Sequence, residues 1–82
     1  MFTKHAREKF VILARHGVRV TEKIVRDAIE RPKKIDCSRL PLLIAQIAFD
    51  ERRVLRVVYR QEGAVQTIIT FYPGRRSQYE KN

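Results

Sequence analysis

Apolar positions along the 82-residue chain change period once, near Pro32. Before it they recur three and four apart, as in a helix with one buried face; after it they alternate, as in strands. Over residues 4–16, Ala6, Phe10, Leu13 and Ala14 form the stripe expected to be buried, and Gly17 supplies a stop. His5, Lys9, Ile12 and His16 follow a neighbouring stripe. Thr21 suits a helix N-cap with Glu22 in the first turn, and residues 22–31 place Ile24, Val25, Ala28 and Ile29 on one face before Pro32 ends the run.

Beyond Pro32 the stretches 42–49, 53–60 and 64–72 are rich in branched and aromatic residues, and short polar pieces separate them in the manner of hairpins. The piece "KKIDCS" before them reads as a short strand or an irregular connection. The expected fold is α+β: two N-terminal helices packed on one face of a three- to four-stranded antiparallel sheet, with residues 1–82 as one domain. Successive strand residues point to opposite faces, which sorts the strands into two sets. Leu43, Ala45, Ile47 and Phe49, then Leu55, Val57 and Tyr59, then Val65, Thr67, Ile69 and Phe71 belong under the helices. The other face carries Gln46, Arg56, Arg60, Thr70 and Tyr72 among Ile44, Val58 and Ile68, a mixture suited to a ligand or a protein partner.

Composition adds one strong fact. Eighteen Lys and Arg against nine Asp and Glu give a formal charge of +9, so a polyanion such as nucleic acid is the expected partner. The single cysteine, Cys37, excludes an intrachain disulfide, no apolar run reaches membrane-spanning length, and the first ten residues lack the apolar centre of a signal peptide. A cytoplasmic protein with no membrane association is the expectation. The chain has no phosphate-binding glycine loop, no dinucleotide fingerprint and no metal-ligand spacing, so neither metal nor cofactor is expected. Cys37 lies in a basic stretch that favours a thiolate, but no partner residue marks it as a nucleophile.

What remains is basic and aromatic. Metal-independent cleavage of RNA needs a group that exchanges a proton and cations that stabilise the charge developing on phosphorus. His5, Arg56, Tyr72, Arg75 and Arg76 are the catalytic candidates, with Lys9, Gln46, Arg60, Thr70 and Tyr79 as RNA-binding ones. Arg56 stands inside an apolar strand, so it requires either a carboxylate partner or an exposed face. His16, near a helix C-terminus, is read as complementing the helix dipole.

The segments "FTKHAREKF", "VTEKIVRDAIERPKKI" and "LRVVYR…TIITFYPGRRSQY" resemble a small prokaryotic domain family that opens with a His-Ala pair and closes on an aromatic followed by basic residues. That family is similar to the barnase–EndoU–colicin–RelE superfamily of metal-independent ribonucleases and toxins, with its RelE, ParE and BrnT groups. The resemblance spans nearly the whole chain. It implies helices packed on a curved antiparallel sheet, RNA on the open sheet face, and a small acidic antitoxin as partner. It also implies site roles for His5, Arg56 and Thr70, and for the closing segment of Tyr72, Arg75, Arg76 and Tyr79. The expected function is an endoribonuclease toxin acting on mRNA or tRNA, ribosome-associated or not. The alternatives are a non-catalytic nucleic-acid-binding module and a protein-interaction domain, because fold alone does not specify cleavage.

Overall fold

A computed structural model describes residues 1–80, in the order α1 (Lys4–Arg15), α2 (Glu22–Glu30), β1 (Lys34–Arg39), β2 (Leu42–Ala48), β3 (Arg53–Glu62), β4 (Val65–Arg75) and α3 (Arg76–Tyr79). The architecture is α+β, and the four strands form one antiparallel sheet in sequence order.

Each N-terminal helix begins at a threonine. The Thr3 hydroxyl accepts from the Ala6 amide at 3.1 Å and the Thr21 hydroxyl from the Ile24 amide at 3.3 Å, each satisfying one of the free N–H groups of the first turn. α1 ends at His16, followed by Gly17 at φ 77°, a conformation that suits a residue without a Cβ. The His16 ring donates from Nδ1 to the Ile12 carbonyl at 2.9 Å, so it caps its own helix.

The core joins Ala6 of α1 and Val25, Ala28 and Ile29 of α2 to Ala45, Leu55, Val57, Tyr59, Ile68 and Phe71 of the sheet. Phe10 and Leu13 pack against this cluster, and the Phe10 ring lies between those of Phe2 and Phe71 with centroids at 5.7 and 4.6 Å. Ala14, expected in the buried stripe of α1, is exposed: Ala6, Phe10 and Leu13 already span the contact with β4, and Ala14 lies round the helix from it.

The last strand departs from simple alternation. Val58 pairs with Thr70 but Tyr59 pairs with Ile68, so Ile69 is an extra residue in β4, a β-bulge. Its effect is to reverse the side-chain parity N-terminal to it. Ile68 is therefore buried in the core, Ile69 is half-buried and Val65 is exposed, which corrects the expectation that Val65, Thr67 and Ile69 lie under the helices. Phe71, beyond the bulge, is buried as expected. Residues at the N-terminus hold the bulge. Ile68 N–H donates to the Met1 carbonyl at 2.8 Å, Thr3 N–H to the Ile68 carbonyl at 3.0 Å, and the Thr3 hydroxyl to the Ile69 carbonyl at 3.0 Å. The segment ahead of α1 thus bridges β4 in parallel, through Phe2 and Ile68, and covers its edge.

Candidate nucleic-acid interface

Arg56 decides the character of the second sheet face. It alternates with the core residues Leu55 and Val57, so it points away from the helices, yet it is only 5% exposed. An unpaired guanidinium there would be costly. Its Nη2 donates to Asp36 Oδ2 at 3.0 Å, its Nη1 to Gln46 Oε1 at 2.9 Å and its Nε to the Tyr72 hydroxyl oxygen at 3.2 Å. The Tyr79 ring covers the guanidinium, with 4.2 Å from Cζ to the ring centroid. Of the two ways to satisfy an arginine in an apolar strand, the fold supplies the carboxylate and a cover together.

Each partner arrives by a different route. Asp36 pairs with Ile44 across β1 and β2, which puts it on the face that carries Arg56. Gln46 and Tyr72 are the residues directly opposite Arg56 on its two neighbouring strands. Tyr79 comes from α3, which β4 feeds without an intervening loop and which turns back over the sheet. Gly74 makes room for it, since a Cβ there would collide with the Tyr79 ring. Hydrogen bonds from Ser38 to the Asp36 carboxylate, and then the Arg56 guanidinium, hold the Asp36 pKa down to about 2.

Beside this cluster lies a groove of about 400 Å³ lined by Asp36, Arg39, Ile44, Arg56, Tyr72 and Tyr79, among others. Its polar groups converge on an apolar floor, the combination found in ligand sites. The Tyr72 oxygen accepts from Arg56, so its own proton is directed to another acceptor. Tyr72 and Tyr79 are half-buried, and both line the groove.

The ten candidate residues fall into three places. Gln46, Arg56, Thr70, Tyr72 and Tyr79 share this face; Arg60 lies on it as well, at the far end, exposed and paired with Glu62 at 3.1 Å. Arg75 and Arg76 sit at the opposite end of the sheet, where Arg75 pairs with Arg53, three positions along β3 from Arg56 and so about 10 Å away. His5 and Lys9 lie on α1, which packs against the helix-covered face. The sheet therefore stands between His5 and Arg56, and one phosphodiester does not meet both in this fold.

Asp36, Ser38 and Arg39 belong to the groove but were not among the candidates. The signal for Asp36 was Arg56 itself, which demands a carboxylate; the register of β1 on β2 chose this one. Cys37 is exposed on β1. Among the described residues no three His, Cys, Asp or Glu side chains converge as a metal-binding group, and no helix is long and apolar enough to cross a membrane. No family model, curated protein or solved structure matches this chain.

Proposed function

We propose that this protein binds single-stranded RNA on the sheet face opposite its two long helices, as a RelE-like domain whose natural counterpart is a small acidic antitoxin in the cytoplasm. The observation that carries the reading is the Arg56–Tyr72–Tyr79 cluster in a groove, on a chain of formal charge +9. Tyrosine rings give unpaired bases a stacking surface, Arg39 lines the groove as a cation for the backbone, and Arg60, paired with Glu62, lies farther along the same face. The finer likeness to RelE rests on the sequence resemblance.

The test is fluorescence anisotropy with a single-stranded RNA oligonucleotide at several salt concentrations. Three neutralised phosphates give a log-log slope of about −2. Tyr79→Ala is expected to weaken binding by about 1–3 kcal/mol per lost stack. A flat salt response, or a Tyr79→Ala variant that binds equally well, removes the reading.

One observation favours cleavage as well as binding. Tyr72, with its oxygen held by Arg56 and its proton free for another acceptor, is placed to exchange a proton with an RNA oxygen. In this version Tyr72 takes the proton-transfer role first assigned to His5. Incubation with RNA in EDTA should yield cyclic-phosphate ends, Tyr72→Phe should abolish the reaction, and His5→Ala should leave its rate unchanged. Intact RNA leaves the binding function alone standing.

A further inference from the structure

The β2–β3 turn and the β4–α3 junction flank a second, open recess, of about 970 Å³, at the end of the sheet away from Arg60. Arg52 lines it from the turn, Arg53 from the start of β3, Arg75 and Arg76 from the junction, and Asp50, Glu51 and Ser77 complete it. Arg53 and Arg75 are direct partners across β3 and β4. Like charges placed opposite each other in a sheet destabilise it. The fold nevertheless fastens the two segments together: Arg76 N–H donates to the Arg52 carbonyl at 2.9 Å, and Arg76 Nη1 to the Asp50 carbonyl at 3.1 Å.

The acids nearby do not cancel this charge. Asp50 is consumed within the turn, its Oδ1 accepting from the Arg52 and Arg53 amides at 2.9 and 2.7 Å and its Oδ2 meeting the Arg53 guanidinium at 2.8 Å. Glu80 pairs with Arg76 at 2.8 Å. Arg52 and Arg75 are exposed, and no ion pair within the described residues involves either of them. Glu51 lines the recess, has no ion pair among the described residues, and opposes any anion that enters.

We propose that this recess is a phosphate-binding site, separate from the tyrosine groove, that takes a phosphate or pyrophosphate group carrying two or more negative charges. Such a group offers oxygens to the planar guanidinium forks of Arg52 and Arg75, the two arginines of the recess that no ion pair among the described residues engages. The turn is already braced by Asp50, and the Arg76 guanidinium is held by Glu80 and by backbone carbonyls, so little ordering is needed on binding. Two sources offer this chemistry: the terminal phosphate of an RNA strand, and free pyrophosphate-like anions. The site does not require the RNA-binding reading, because pyrophosphate carries neither base nor ribose.

The experiment is titration of the isotope-labelled protein with inorganic pyrophosphate at constant ionic strength, following the arginine side-chain N–H resonances by NMR. Saturable shifts are expected at Arg52, Arg53, Arg75 and Arg76, with the Tyr72 and Tyr79 ring signals unmoved. Arg75→Gln should weaken binding about 10-fold, the order expected on losing a charge-assisted donor. Its melting temperature should rise, since the substitution removes the repulsion from Arg53, so lost binding is not lost folding. Glu51→Gln should tighten binding about 5-fold. Shifts spread evenly over all exposed arginines, or an affinity that Arg75→Gln leaves unchanged, overturn the proposal. Given pyrophosphate binding, a 5′-phosphorylated RNA that outbinds its 5′-hydroxyl counterpart identifies a strand end as the ligand, and equal binding of the two identifies the free anion.

Discussion

On the helix-covered face, Ala45, Leu55, Val57 and Phe71 are fully buried and ask nothing of their neighbours beyond contact. On the other face of the same strands, Gln46 and Arg56 are buried almost as completely, and directed partners hold them. Apolar burial is non-directional, so its loss scales with the area and volume removed. Polar burial depends on each partner being present, so removing one leaves another unsatisfied. The first face gives the sheet its stability. The second keeps polar and aromatic groups in one place beside a groove, where a ligand can reach them.

The largest effect should come from a charge placed on the apolar side. Ile68→Asp is expected to cost more than about 4 kcal/mol, comparable with the roughly 4–12 kcal/mol that holds a domain of this size, and so to unfold it. Ile69→Asp, one residue along and half-buried at the bulge, should cost about 1–2 kcal/mol. Thermal melts of the two variants decide it, and equal losses would mean that the bulge does not divide the faces as described.

Next in size is Arg56→Ala, which leaves Gln46 Oε1 and Asp36 Oδ2 without their donor, while Asp36 Oδ1 keeps the Ser38 amide. A loss of about 3 kcal/mol is expected, and a double-mutant cycle with Asp36→Ala should show coupling of at least about 1 kcal/mol. Additive effects would make the Arg56–Asp36 contact incidental and the second face only a poorer version of the first.

Acid should then separate the two faces. Asp36 is held below its ordinary 3.8, down to about 2, so the stability it contributes is complete above about pH 4 and is lost as the pH falls through 2. Asp50 and Glu80 are depressed as well, by the Arg52 amide and the Arg53 side chain in one case and by Arg76 in the other, and add to the same loss. Urea melts between pH 5 and pH 2 should show a shallower decline for Asp36→Asn than for the unmodified chain. Val57→Ala, on the apolar face, should lower every point equally and leave the slope alone.

The smallest effect belongs to the cover over Arg56. Gly74→Ala puts a methyl group where the Tyr79 ring lies, and the ring, at the end of a mobile side chain, should swing aside at a cost below about 1 kcal/mol. The ring-current shift on the Arg56 guanidinium protons should disappear while the melting curve hardly moves. Retention of that shift would mean that α3 moves with the ring and the cover is firmer than one turn of helix suggests.

Local chemistry made much of this molecule legible in the residues alone. The helix at residues 4–16 was observed as Lys4–Arg15, and the Thr21 cap and Pro32 bracket α2 as the sequence indicates. The strands expected at 42–49, 53–60 and 64–72 appear as Leu42–Ala48, Arg53–Glu62 and Val65–Arg75. Caps, stops and periodicity act within four or five residues of the chain, so a short window contains their cause. The need of Arg56 for a partner was equally visible, because an arginine among valines carries its desolvation cost wherever the strand lies.

The partners themselves were a matter of tertiary structure. Asp36 is 20 residues from Arg56, and Met1, whose ammonium donates to the Gln66 carbonyl at 2.9 Å, is 65 residues from the strand it caps. Such pairings are set by register between strands and by where the chain ends come to rest. A single extra residue at Ile69 changes which side chains face the core. The same holds for the candidate site: the sequence supplied the arginines, tyrosines and His5 without a distance between any two of them. Packing of α1 against the apolar face then carried His5 to one side of the sheet, while strand alternation carried Arg56 and Tyr72 to the other, because a sheet with one buried face sorts its side chains by parity and a helix lies where the apolar set is.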